Sequence, residues 1–225
     1  SIIGGGEPLC HPHINDFLRY CYEKGIQTSL ITNGFLLNNL EYDAAKAIKW
    51  CRVSFSDDRA DESWNTFKEA VTQKVQQTQE IEWSFSYVVT TNPNFQNQKR
   101  IVSLTNELNC SHVRFLPDLY NLEWVNMDLI KIQLQTTNID CSRVIYEYRK
   151  CSENLNSECR IGLLKPFIAA DGYVYPCCGM QYLTNYRNYH KSKNIGHYSQ
   201  LSRIIENNKY FDGSNCKTCF YNEYN

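Results

Sequence analysis

Four cysteines near the end of the chain have the residue type and spacing of metal ligands. Cys216 and Cys219 form a C-x2-C pair, a spacing at which two thiolates can hold one metal centre. Cys159 and Cys177 flank Asp171-Gly172, which is a strong hairpin-turn signal between two apolar runs. Such a hairpin would carry Cys177 back toward Cys159. Four thiolates would close a tetrahedral zinc site or ligate a 4Fe–4S cluster, and the spacing alone does not choose between these metals.

A second candidate site lies at the start of the sequence, in Gly4-Gly5-Gly6-Glu7-Pro8. A short apolar run precedes it and an apolar-periodic segment follows, which indicates a strand, a tight turn and a helix. Consecutive glycines let the backbone approach a ligand closely, and Glu7 adds a carboxylate that suits an ammonium group. A phosphate-binding loop would instead carry lysine or bare amides at this place. A glycine turn with a surface glutamate is the alternative that this string leaves open.

Strands that alternate with helices position these residues. After the first apolar run, the sequence predicts four strands, at Thr28–Thr32, Arg52–Ser56, Trp83–Val89 and Val113–Leu116. The alternation indicates βα units and a parallel sheet, in which ligand sites lie at the carboxyl ends of the strands. Ser54 and Ser56 alternate with Val53 and Phe55, so the two serines are predicted to share one face. Residues 118–158 form a connector, in which Val144, Ile145 and Tyr148 predict a short helix.

The stretch SIIGGGEPLCHPHINDFLRYCYEKGIQTSLITNGFLL, residues 1–37, closely resembles two strand–helix units of radical S-adenosylmethionine (SAM) enzymes. In that family the Gly-Gly-Glu motif ends the second barrel strand and holds the amino group of SAM, and Thr32-Asn33-Gly34 matches the end of the third strand. The resemblance implies a partial (β/α)6 TIM-like barrel over residues 1–117, with its first strand missing. The SAM-binding residues that it implies are Gly5, Gly6, Glu7, Thr32, Asn33, Ser54, Ser56 and Asn92, with Asn94 as the alternative to Asn92.

Residues 159–225 resemble the SPASM/twitch appendage of the same enzymes, through a C-x12-G-x4-C pattern followed by a later C-x2-C. The resemblance implies a small hairpin-and-helix domain that binds an auxiliary 4Fe–4S cluster through Cys159, Cys177, Cys216 and Cys219. Cys178 is the alternative to Cys177. The family's C-x3-C-x2-C spacing does not occur in the sequence, which begins with Ser inside a predicted strand. We therefore interpret the chain as a fragment, and expect the ligands of a second 4Fe–4S cluster upstream of Ser1.

The resemblance implies an enzyme that reductively cleaves SAM to a 5′-deoxyadenosyl radical, which abstracts hydrogen from a peptide or small-molecule substrate. An electron donor such as flavodoxin or ferredoxin is the implied partner, and oxygen-sensitive chemistry implies a cytoplasmic location.

A net charge of −1 over 225 residues gives no basic field for nucleic acid, and no apolar run approaches the roughly 20 residues of a membrane span. Two alternatives are a zinc-stabilised binding domain with a degenerate barrel, and a truncated, inactive relative that serves protein contacts. The zinc-stabilised domain gives no purpose to the Gly-Gly-Glu-Pro and Thr-Asn-Gly motifs or to the serine strand.

Overall fold

The structure, a computed structural model, describes residues 1–3, 6–118, 121–148, 152–153, 157–178, 194–214 and 218–219. The chain divides into two compact units, Ser1–Arg149 and Lys150–Asn225. The division falls inside the predicted connector. Among the described residues, no helix has both the length and the apolar character needed to cross a bilayer.

The first unit is built on a five-stranded parallel sheet whose strand order follows the order of the chain. Its strands are β1 (Thr28–Thr32), β2 (Ile48–Ser56), β3 (Glu82–Val89), β4 (Val113–Pro117) and β5 (Val144–Tyr146). Its helices are α1 (Ile14–Glu23), α2 (Tyr42–Ala45), α3 (Ser63–Gln77), α4 (Phe95–Glu107) and α5 (Met127–Gln135). Ile2 adds a single parallel bridge to Leu30 on the far side of β1. The prediction of an α/β fold with a parallel sheet is confirmed, and the described strands form an open sheet.

One face of this sheet is packed beneath helices. Phe55 of β2 is buried, and its ring centroid lies 4.6 Å from that of Phe67 on α3. Val71 and Val75 continue the buried stripe of α3 at helical spacing. Aromatic pairs at such distances stabilise a core beyond the area that they bury. The packed face therefore holds the strands in register and fixes where their carboxyl ends lie.

The predicted short helix at Val144, Ile145 and Tyr148 is wrong. Val144–Tyr146 form β5, which pairs in parallel with β4 through Val113, Arg114 and Phe115. Val144 and Ile145 are adjacent and Tyr148 follows three residues later, a spacing that fits one turn of a helix as well as a strand. Pairing with the edge of β4 decides in favour of the strand, because it satisfies backbone groups that β4 would otherwise expose.

The second unit contains short strands and helices. Its strands are β6 (Ser152–Glu153), β7 (Glu158–Cys159), β8 (Phe167–Ile168), β9 (Tyr173–Tyr175), β10 (Gly196–His197), β11 (Phe211–Asp212) and β12 (Thr218–Cys219). Its helices are α6 (Ile161–Leu164) and α7 (Leu201–Asn207). The predicted hairpin is confirmed: β8 pairs antiparallel with β9, and Gly172 takes a positive φ of 82° in the turn between them. β10 extends this sheet on the other side of β9.

Candidate functional site at the carboxyl ends of the strands

The Glu7 side chain joins the first two sequence motifs. Its Oε1 accepts hydrogen bonds from the Thr32 hydroxyl at 2.7 Å and from the Leu9 amide at 3.0 Å. Its Oε2 accepts one from the Asn33 amide at 2.6 Å. Thr32 ends β1, so the carboxylate lies at the carboxyl end of this strand. The two motifs that are 25 residues apart in the sequence are thus in direct contact at the edge where ligand sites of βα folds lie.

This bonding changes what Glu7 can offer a ligand. An ionised carboxylate has about four acceptor positions, and three are taken by the protein itself. One acceptor position remains for an incoming ammonium group. The sequence predicts a binding role for Glu7. The three hydrogen bonds give this carboxylate a structural role as well, which the sequence did not predict.

Gly6, the residue before Glu7, is surrounded by open space. A Cβ atom added to Gly6 would meet no heavy atom within 4 Å. Gly6 itself does not take a positive φ, so the space around it, rather than an unusual backbone conformation, is its distinguishing property. Gly5, the other glycine predicted to contact SAM, lies outside the described residues.

The predicted serines lie on the face of the sheet opposite the packed one. Ser54 and Ser56 are half-buried and alternate with the buried Val53 and Phe55, which confirms that the serines share a face. Thr32 is paired with Val53, so its side chain belongs to the packed side of the sheet. The Glu7–Thr32 contact and the two serines therefore lie near the carboxyl ends of neighbouring strands but on opposite faces of the sheet.

The serine face continues onto the neighbouring strands. Ser54 is paired with Ser86 of β3, and Ser86 is paired with Arg114 of β4. Within the described part of the chain, no hydrogen bond to the hydroxyls of Ser54, Ser56 or Ser86 is found. These hydroxyls can therefore donate to a ligand on this face without breaking a bond to the protein.

Arg59 is a residue of the site that sequence reasoning missed. It lies in the loop after β2, and its guanidinium donates to the Ser54 carbonyl at 3.2 Å. The guanidinium carbon lies 4.7 Å from the Phe35 ring centroid and 5.2 Å from that of Phe55. Burial lowers the pKa of Arg59, whereas the charge of Glu7 raises it. The guanidinium stays charged at neutral pH, so Glu7 and Arg59 place opposite charges at the same edge.

The two asparagines after β3 differ in what they do. The Asn94 side chain accepts a hydrogen bond from the Asn97 amide at 3.1 Å and so caps α4. Asn92 is exposed, and within the described residues its side-chain amide makes no hydrogen bond. Asn94 is committed to the helix, so Asn92 is the asparagine of this turn whose side-chain amide is available to a ligand.

The predicted metal ligands belong to the second unit. Cys159 lies on β7 opposite Phe211 of β11, and Cys219 lies on β12 opposite Ser152 of β6. Cys177 follows β9, as predicted, and Cys178 is half-buried like it. Cys216, the fourth predicted ligand, lies outside the described residues. Among the described residues no three Cys, His, Asp or Glu side chains form a group that could hold a metal ion.

Buried thiols of the first unit are unsuited to ligand chemistry. Burial raises the pKa of Cys110 to about 12, and it raises the pKa of the fully enclosed Cys51 further. A thiol must be deprotonated to bind a metal or act as a nucleophile. Both residues therefore serve packing.

A separate groove of about 290 Å³ lies on the outer side of the first unit, between α3 and α4. Three cationic side chains line it, but two already have carboxylate partners: Lys68 is paired with Glu107, and Arg100 with Asp61. Exposed pairs of this kind contribute little energy and leave little charge for a ligand. Its lining does not include Glu7, Thr32 or Arg59.

Comparison with the models of known protein families gives no match, and comparison with curated protein sequences finds no relative.

Proposed function

We propose that the chain is the SAM-binding core, with an auxiliary cluster domain, of a radical SAM enzyme. The observation that carries this proposal is the contact of Glu7 with the Thr32-Asn33 turn at the carboxyl edge of a parallel sheet. The resemblance predicts these two turns to be the ends of neighbouring strands that meet around SAM. The partial barrel belongs to the same proposal, since the five described strands supply an open parallel sheet with the required connectivity.

The charges at this edge suit the amino-acid end of SAM. That end carries an ammonium and a carboxylate, and Glu7 and Arg59 carry the complementary charges. Charge-assisted hydrogen bonds are roughly twice as strong as neutral ones, so a pair of this kind selects a zwitterion over a singly charged group. The hydroxyls of Ser54 and Ser56 and the amide of Asn92 are the neutral groups that would hold the ribose or adenine.

SAM, when bound with a reduced 4Fe–4S cluster, supplies the 5′-deoxyadenosyl radical that abstracts hydrogen from a peptide or small molecule. The residues of this chain bind and orient SAM, while the cofactors carry the difficult chemistry. This SAM-cleaving cluster is distinct from the auxiliary cluster and would be ligated by residues outside this sequence. An electron donor such as flavodoxin or ferredoxin would reduce it. A reducing compartment such as the cytoplasm suits this chemistry.

The second unit is proposed to hold the auxiliary 4Fe–4S cluster through Cys159, Cys177, Cys216 and Cys219. Four thiolates are the donor set that such clusters use, and the hairpin that precedes Cys177 supports the twitch resemblance. A cluster with four cysteine ligands has no open coordination site, which favours electron transfer or a structural role over substrate binding.

SAM affinity tests the binding site. We expect Arg59→Gln to weaken SAM binding by about tenfold in the full-length protein, because it removes one charge-assisted hydrogen bond. Arg19→Gln, on α1 and paired with Asp43, is the matched control and should leave the affinity unchanged. Isothermal titration calorimetry measures both. Equal affinities for the parent and Arg59→Gln would remove Arg59 from the site, and a parent that does not bind SAM would refute the proposed function.

Metal analysis tests the second unit. After anaerobic reconstitution, Cys216→Ala/Cys219→Ala should hold about four fewer iron and four fewer sulfide ions per chain than the parent. It should still cleave SAM under reducing conditions but fail to convert substrate, because the substrate radical has lost its electron acceptor. Stoichiometric zinc without iron would favour the zinc-stabilised binding domain instead. Conversion of substrate at the parent rate would refute the electron-acceptor role.

A further inference from the structure

Asp57 is a buried carboxylate that the sequence gives no reason to single out. It follows the last residue of β2 and is only 6% exposed, whereas its neighbour Asp58 is exposed. Burying a carboxylate is strongly unfavourable unless hydrogen bonds replace the lost water. A buried carboxylate outside the SAM contacts therefore needs its own explanation.

Four donors surround this carboxylate. Its Oδ1 accepts hydrogen bonds from the Tyr87 hydroxyl at 2.6 Å, the Asn94 amide at 2.8 Å and the Gln98 side chain at 3.1 Å. Its Oδ2 accepts one from the Thr90 amide at 2.8 Å. These four bonds use most of the acceptor capacity of the carboxylate, so the protein itself satisfies the buried charge.

Two of these donors lie at the two ends of one turn. Thr90 directly follows β3 and Asn94 directly precedes α4, so a single carboxylate holds both ends of residues 90–94. The residues between them, Thr91, Asn92 and Pro93, are exposed. The turn is therefore fixed at its ends and open at its tip, and Asn92 is the residue at that tip.

We propose that Asp57 is a positioning residue, which holds the turn after β3 so that Asn92 meets SAM at the carboxyl edge. This inference rests on the proposed function, because Asn92 is a SAM contact only if the edge binds SAM. Asp57 also continues β2 beyond Ser56, through its own amide, which donates to the Val88 carbonyl at 3.2 Å. One residue thus sets the ends of the two strands, β2 and β3, that carry Ser56 and Asn92.

Asp57→Asn is the informative substitution. It keeps the shape of the side chain but replaces one acceptor oxygen with an NH2 group, which would face backbone amides that can only donate. Either the Thr90 or the Asn94 amide then loses its partner, and that end of the turn is released. Tyr87→Phe is the matched control, since it removes a donor to the same carboxylate and leaves both backbone amides bonded.

Double-mutant analysis of SAM affinity in the full-length protein tests the proposal. We expect Asp57→Asn and Asn92→Ala each to weaken binding by about tenfold, and the double variant to be little weaker than either. Tyr87→Phe should lower thermal stability without changing SAM affinity. Unchanged affinity in Asp57→Asn, or a full additional tenfold loss in the Asn92→Ala background, would overturn the positioning role. A parent that does not bind SAM would overturn the proposed function, and the positioning role with it.

Hydrogen exchange of the parent gives a test that does not depend on the folding of a variant. The Thr90 and Asn94 amides should exchange much more slowly than those of Thr91 and Asn92, because the first two donate to the buried carboxylate, whereas the Asn92 amide donates to the Thr90 hydroxyl oxygen in an exposed bond. NMR or mass spectrometry with single-residue resolution measures these rates. Fast exchange at all four amides would show that Asp57 does not hold the turn.

Discussion

Replacement of Glu7 by glutamine should destabilise the first unit even in the absence of SAM. The Glu7 carboxylate accepts three hydrogen bonds, one of them from the Asn33 amide at 2.6 Å. Glutamine retains one acceptor oxygen, which can keep the partners of Oε1, but its NH2 group would then face the Asn33 amide. A hydrogen bond to a charged group contributes roughly 1.5–3 kcal/mol, and we expect a loss of about this size because the site is partly shielded from water.

Urea denaturation of the full-length protein measures this loss. The midpoint should fall while the slope of free energy against urea stays the same, because the folded and unfolded surfaces are unchanged. Glu69→Gln, on the exposed side of α3, is the matched control and should change the free energy of unfolding by less than about 0.5 kcal/mol. Equal stability of Glu7→Gln and the parent would show that the carboxylate does not hold the two turns together.

Two further predictions concern the first unit. Gly34→Ala should lower the free energy of unfolding by about 1–3 kcal/mol more than Gly25→Ala, as measured by urea denaturation. Both glycines have a positive φ, but a Cβ on Gly34 would lie 2.7 Å from Phe67 and Val53 carbon atoms, whereas one on Gly25 would meet nothing within 4 Å. Equal losses would mean that the Gly34 turn is not tightly packed. Burial lowers the pKa of Lys74 from its ordinary value of 10.5, and its ammonium donates to the Leu40 carbonyl at 2.6 Å. The unfolded chain then binds the proton more tightly, so the stability of the parent relative to Lys74→Met should rise as the pH increases toward 10.5. A difference between the two proteins that is independent of pH would contradict this reasoning.

Much of the first unit follows from local patterns in the sequence. The strands β1 (Thr28–Thr32) and β3 (Glu82–Val89) are long and rich in β-forming residues, so their local sequence is enough to predict a strand. The stripe of α3 has the helical period, and its members Phe67, Val71 and Val75 are buried. The alternation of Ser54 and Ser56 with apolar neighbours correctly predicted that both serines share one face, because side chains alternate along any strand.

The features that the sequence did not predict depend on contacts between distant segments. Val144–Tyr146 become a strand only because β4 offers an edge, and Arg59 joins the site only because its loop folds over Phe35. Asp57 and Asp58 look alike as an acidic pair, yet only Asp57 is enclosed by the turn after β3. No local pattern distinguishes two adjacent carboxylates when their donors come from 30 or more residues away.

The formation of 5′-deoxyadenosine tests the central claim most directly. The full-length protein, reconstituted anaerobically with iron and sulfide, should convert SAM to methionine and 5′-deoxyadenosine when a strong reductant is added. The product should not form without the reductant, because the cleavage consumes an electron. Chromatography with mass detection measures both products. A protein that is loaded with iron–sulfur clusters and binds SAM, yet forms no 5′-deoxyadenosine under reducing conditions, would contradict the assignment as a radical SAM enzyme.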